Sequence, residues 1–225
     1  MTPSDLVLPG LPPGPRDAIY HISENPDIKV FRPRRSRPLA GYPEGRDVVW
    51  GIDEYHAPLY LFPRECPRIV LWALERSTRS DIDRWIGPSQ PRMAAFIEKR
   101  WLPPLQSCRL YRYSFDPTRF EDTGDHGTHV STSTVKPASV EPVGPLLDRL
   151  EEAGLRLESV ESLQIMAGSI DSSLHFSGVR LGNAETWRPP PQDDSANRGN
   201  WRPPPRIRWD NHRRRRDSKP PGVTA

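Results

Sequence analysis

Residues 19–66 hold the side chains best suited to chemistry: IYHISENPDIKVFRPR is followed, after a short loop, by VVWGIDEYHAPLYLFPRECP. A histidine stands inside the first apolar run, arginines follow it, and a second apolar run leads into an aromatic-rich stretch. Strand alternation sends His21 and Ser23 to one face, away from Ala18, Tyr20 and Ile22. His21 is then either a pocket group or a core histidine with both ring nitrogens satisfied. Arg32, Arg34, Arg35, Arg37 and Arg64 carry planar guanidinium forks that match phosphate or carboxylate, unless they form a solvated basic loop. Trp50, Asp53, Tyr55, His56 and Tyr60 make a third group. Two of its aromatics, Trp50 and Tyr60, are spaced to wall in a planar ring, and offset stacking contributes about 0.5–1.5 kcal/mol beyond burial; ordinary core packing would use the same residues.

Other constellations are poor. His126, His129 and His175 lack zinc-ligand spacing, there is no H-E-x-x-H motif, and Cys66 and Cys108 are too few and too far apart for a metal knuckle or a disulfide framework. No P-loop and no G-x-S-x-G occur, and Ser131, Ser133 and Thr134 sit in a Thr/Ser-rich strand end that reads as structural. These patterns argue against a hydrolase, a kinase or a metalloenzyme, and no metal is expected.

The elements that must position these groups are short strands. Residues 18–22, 48–52, 68–74, 109–115, 129–132 and 173–181 mix β-branched, aromatic and leucine residues between Pro, Gly, Asp or Ser boundaries. A helix is expected over 142–153, with Leu146, Leu147 and Leu150 on one face, Pro142 in its first turn and Gly154 as a left-handed cap. A second is expected to open at Ser80, with Trp85 and Ile86 turned inward. Residues 92–105 are ambiguous, with MAAFI reading as a strand and EKRWL as the start of a helix cut off by Pro103 and Pro104. The expected fold class is α+β: a mixed or antiparallel sheet core with few short helices.

The chain has 225 residues, of which 35% are hydrophobic, a modest share for a fully globular protein. The shortfall lies at the ends. Residues 1–16 are rich in Pro and Gly. From residue 185 onward there are ten Lys/Arg and five Asp/Glu, or +5, so that with a net charge of +3 the other residues come to 3 − 5 = −2. The expected organisation is a disordered start over 1–16, a single domain over 17–184 and a disordered tail over 185–225. WRPPP occurs at 187–191 and again at 201–205, and proline favours extended polyproline II there. Arg213, Arg214, Arg215 and Arg216, with Trp187, Trp201 and Trp209 upstream, suit weak, salt-sensitive nucleic-acid binding; the proline runs suit an SH3-like partner. No apolar run reaches the roughly 20 residues a membrane span needs, and the expectation is a soluble, cytoplasmic protein.

The segments YHIS, VVWGIDEYHAPLYLFPRECPR, LYRYSF, HVSTSTVKPASVEPV and LHFSGVRLGNA resemble a bacterial family of uncharacterised proteins, a domain of unknown function, over residues 17–184. More distantly, a first strand with His, a strand with an aromatic and a small helix with a second aromatic resemble the core of His-Tyr-Glu ADP-ribosyltransferases, among them the diphtheria-toxin-like and rifampin-modifying enzymes. That likeness implies an ADP-ribosyltransferase-like fold and a pocket for NAD or a related nucleotide. In it His21 holds a ribose hydroxyl, Trp50 stands where the family has tyrosine, and Tyr60 matches the second stacking aromatic; Ser23 and Arg32 join the cofactor site. The third residue is left among Ser131, Thr132 and Glu141, of which Glu141 has the chemistry to be catalytic. The alternative reading is a non-catalytic nucleotide-binding or protein-interaction module with a basic, proline-rich tail.

Overall fold

Two strands with no polar face set the architecture. Arg68–Trp72 is buried at all five positions and Met93–Glu98 at all six, so apolar side chains leave both faces and each face needs its own cover. This also settles residues 92–105. MAAFIE is a strand, and the helix is confined to Leu102–Ser107, with its two prolines in the first turn, where a missing N–H costs little.

The computed structural model describes residues 18–36 and 46–189. In chain order the strands are β1 (Ile19–Ser23), β2 (Arg34–Arg35), β3 (Asp47–Ile52), β4 (Arg68–Trp72), β5 (Met93–Glu98), β6 (Tyr111–Phe115), β7 (Glu121–Asp122), β8 (Thr128–Ser131), β9 (Ser139–Pro142), β10 (Leu155–Val160) and β11 (His175–Val179). The α-helices are α1 (Arg79–Asp81), α2 (Leu102–Ser107) and α3 (Leu146–Glu152). One sheet runs β7-β8-β3-β1-β6-β9, with β2 also on β3, and is antiparallel throughout. The other runs β10-β5-β4-β11 and is mixed, because β10 lies parallel to β5. The fold is α+β, with two sheets and short helices.

Three apolar layers follow from the alternation. Val70, Trp72, Met93, Ala95 and Ile97 face the first sheet and pack with Leu59, Leu61, Phe62, Ile22 and the α2 and α3 leucines Leu105, Leu146 and Leu150. Ile69, Leu71, Ala94 and Phe96 face outward onto Trp85, Ile86, Leu163, Met166 and Leu174. On the far side of the first sheet, Ile19, Val49, Tyr113 and Phe115 are covered by Phe31 and Val135, whose backbones exchange two hydrogen bonds.

Some expected boundaries move. Pro142 closes β9 instead of opening a helix, and α3 starts at Leu146; residues 139–142 pair with β6, and that ladder prevails over local helix propensity. Gly154 has the left-handed φ of +71° expected of a cap. The helical segment near Ser80 is capped two residues earlier by Thr78, whose side chain accepts the Asp81 N–H, and Ile82, Trp85 and Ile86 are its buried residues. Residues 1–16, Arg37 and the tail beyond 189 lie outside the described residues.

Candidate functional site

His21 projects from the outer face of the first sheet. It pairs with Tyr113, and its ring meets the edge of Phe31 at 4.9 Å. Its Nδ1 lies 3.1 Å from the Trp50 carbonyl oxygen. A carbonyl only accepts, so Nδ1 carries the hydrogen and donates it. Burial holds the ring's pKa below the ordinary histidine value, partly opposed by that bond, and the Arg64 charge lowers it further. A neutral ring with its hydrogen on Nδ1 leaves Nε2 as an acceptor, the role needed to hold a hydroxyl group.

The expected site residues divide between the faces of this sheet. Directly paired residues share a face and neighbours along a strand alternate. Tyr20 pairs with Ile52, so His21 stands opposite Gly51. A side chain at Gly51 would meet Ile19 Cγ2 at 2.1 Å and Phe120 Cε1 at 3.1 Å, which is why glycine fits that row. Trp50 presents its carbonyl to His21 and sends its indole to the opposite face. Glu141 also lies opposite, within β9 rather than beyond the strand, paired with Arg112 and ion-paired to it; the same guanidinium reaches Glu54 and lies over the Tyr20 ring. Of the three alternatives for a third residue, Ser131 shares the His21 face, because it pairs with Val49 of that layer. Its hydroxyl, buried, donates to the Ser133 carbonyl.

Ser23 accepts the Asn25 N–H at 3.1 Å and shapes the turn after β1. Arg32, Arg34 and Arg35 are exposed and follow Phe31 directly. No carboxylate among the described residues pairs with them. Tyr60, 38% exposed, ends the 3₁₀ turn Ala57–Tyr60 on the other side of the sheet, with the Arg68 guanidinium 5.8 Å from its ring. Arg68 itself is buried and has no acidic partner among the described residues. Its Nε and Nη1 donate to the Leu59 and Cys66 carbonyls, and burial pulls its pKa down to about 10. Cys66 and Cys108 are poor nucleophiles, with thiols pushed up by burial to about 12 and about 11.

The fold also gathers a group that sequence spacing gave no reason to join. His175 stacks on Trp72 at 3.9 Å, His126 meets the His175 edge at 4.0 Å, and His56 lies 5.6 Å from Trp72. These rings come from the end of β4, the start of β11, the β7–β8 hairpin and the turn after β3. His56 Nδ1 donates to the Asp53 carboxylate, 2.9 and 3.0 Å from its two oxygens, while the His56 N–H donates to Oδ1 at 2.7 Å. Burial opposes ionisation of Asp53, but these His56 bonds and the charges of His56 and His129 outweigh it and hold its carboxyl below the ordinary range. Burial lowers His126 despite Asp125, and lowers His175 to about 4 with His126, His56 and Arg76 adding repulsion. The Asp-x-x-His spacing of residues 53–56 marks the Asp53–His56 pair alone. Among the described residues no group of three His, Cys, Asp or Glu side chains is set to hold a metal ion.

Gly127 makes the Asp53–His56 pair geometrically feasible. Its φ is +76°, and a Cβ there would stand 2.1 Å from His56 Nδ1 and 2.5 Å from Asp53 Oδ2. Gly127→Ala should therefore split the pair and lower stability by about 1–3 kcal/mol, from overpacking and left-handed strain. Denaturant unfolding of the two chains reads this; equal midpoints would show that the hairpin yields freely.

A two-sheet α+β domain with a neutral histidine on one sheet face and an aromatic–histidine cluster at the sheets' end is the class of structure these observations define. By sequence, the chain belongs to the family described as Family of unknown function (DUF6886), which matches residues 20–184. No curated protein and no solved structure matches it. Among the described residues no helix is long and apolar enough to cross a membrane.

Proposed function

We propose that the outer face of the first sheet around His21 binds the ribose of NAD or a related nucleotide, in the manner of an ADP-ribosyltransferase-like domain. The observation that carries this reading is the His21 tautomer: with Nδ1–H given to the Trp50 carbonyl, a neutral Nε2 is left to accept a ribose hydroxyl. Arg32, Arg34 and Arg35, which have no acidic partner among the described residues, follow on the adjoining segment and suit the diphosphate. Ser131 and His129, paired with Val49 and Gly51, are polar strand residues on the same face.

If the site is catalytic, the glycosidic carbon–nitrogen bond breaks with its electron pair leaving on nicotinamide. An acceptor nucleophile then bonds to the ribose carbon and gives up its proton, with the site's contribution being to orient NAD for this step. The position of Glu141 favours a second reading, a nucleotide-binding module without transfer. That carboxylate is engaged by Arg112 on the opposite face, and among the described residues the side-chain hydrogen-bond partner of His21 is the Trp50 carbonyl, not a carboxylate. Calorimetric titration with NAD, followed by chromatography for free nicotinamide, separates the readings. Binding with release supports transfer, binding alone supports the module, and no binding at millimolar NAD overturns both.

A further inference from the structure

Beyond the nucleotide face, we propose that the outer side of the second sheet is a seat for a Trp-Arg-Pro segment, and that the second WRPPP copy is an alternate occupant of it within the same chain. The first copy occupies the seat in the structure. Trp187 stacks on Phe176 with centroids 6.4 Å apart and packs against the layer holding Leu163, Met166 and Leu174. The Gln164 side chain reads the backbone of the next residue in both directions: its amide donates to the Arg188 carbonyl at 3.0 Å and its oxygen accepts the Arg188 N–H at 2.6 Å. The Ser162 and Thr186 hydroxyls bond at 2.7 Å, and the Glu185 N–H donates to Glu98 Oε1 at 3.0 Å.

Of these contacts only the indole and the Thr186 hydroxyl depend on side-chain identity in the tail. The second copy repeats the indole and replaces the hydroxyl with an amide. Trp201 and Arg202 repeat Trp187 and Arg188, Gly199 offers the same backbone N–H as Glu185, and Asn200 brings an amide where Thr186 has a hydroxyl. Seating the second copy loops out the segment after Ala184. The entropy of closing a loop grows only slowly with its length, and attachment within one chain is an intramolecular event that needs no new partner concentration. The tail therefore exchanges between a close and a looped attachment, and the Arg-rich segment that follows is carried nearer to or farther from the domain.

Cysteines report the occupant. The Ser162–Thr186 hydroxyl distance suits a disulfide after modest adjustment, so Ser162→Cys with Asn200→Cys, in a full chain carrying Cys108→Ser and Trp187→Ala, should form an intramolecular link under mild oxidation. Peptide mass spectrometry should find that link, and adding Trp201→Ala should abolish it. Equal yield with and without Trp201, or a link found between chains rather than within one, would overturn the proposal. Should Trp187→Ala fail to fold, the same cysteine pair with Trp187 in place reads the less populated attachment against the same Trp201→Ala control. A yield insensitive to Trp201 there would overturn it equally.

Discussion

Arg68→Met should cost the domain about 3 kcal/mol or more of stability. Replacing a buried ion pair with apolar groups is often tolerated, because both desolvation costs vanish together. Arg68 differs, since its partners are the backbone carbonyls of Leu59 and Cys66, which stay buried when the guanidinium goes. Hydrogen bonds from a charged donor contribute about 1.5–3 kcal/mol each, and an orphaned buried acceptor costs about 1–3 kcal/mol. Relief of burying the cation offsets part of this, and the loss of two acceptors' partners outweighs it. The segment held is the one that carries Tyr60, whose ring lies near the guanidinium. Denaturant unfolding of Arg68→Met beside the parent gives the difference. A loss below about 1 kcal/mol would mean that the carbonyls find other donors.

Acid should destabilise the fold well before its carboxylates titrate. His175 and His126 have folded pKa values below the ordinary 6.5, His175 falling to about 4. The unfolded chain therefore takes up protons first as the pH drops. The stability linked to these rings is fully present above 6.5 and is lost as the pH falls through that value towards about 4. One proton of difference sets a slope of at most about 1.4 kcal/mol per pH unit, reduced here because the rings are partly exposed. Asp53, held below its ordinary value by His56, adds a loss only at lower pH. The groups facing the cluster are Asp53, Asp125, Arg76 and His56. His175→Phe keeps a ring against Trp72 but cannot titrate, so its stability between about pH 7 and about pH 5 should fall less steeply than the parent's. Identical slopes would place the acid sensitivity elsewhere.

The strands around His21 were legible because β1, β3 and β6 mix β-branched and aromatic residues between polar, Gly or Pro boundaries. β5 was only partly legible, because MAAFIE, buried on both faces, has no polar period and runs straight into the helix-like KRWL. β9 was hidden by residues 142–153, whose leucine spacing reads as helix from Pro142 onward; only pairing with β6 makes 139–142 a strand. The faces were harder. Alternation along β1 put His21 and Ser23 together, but nothing within one strand tells which face of β3 or β9 meets them. That depends on register, so Trp50 and Glu141 were grouped with His21 and lie opposite. The histidine cluster was illegible for a related reason, since residues 56, 72, 126 and 175 meet only once the two sheets are packed together. The packing of Trp187 on Phe176 likewise carries ordered contacts past residue 184, where composition alone placed the boundary.

The most direct test of the account is calorimetric titration of NAD into the parent chain, His21→Ala and Glu141→Gln. Removing one hydrogen-bond acceptor costs about 0.5–1.5 kcal/mol, or roughly two- to tenfold in affinity. The account predicts that His21→Ala binds NAD more weakly by at least that factor while its circular dichroism is unchanged, and that Glu141→Gln, altered on the opposite face, binds like the parent. If His21→Ala, folded, binds NAD as tightly as the parent, or if only Glu141→Gln loses binding, the nucleotide face around His21 is contradicted.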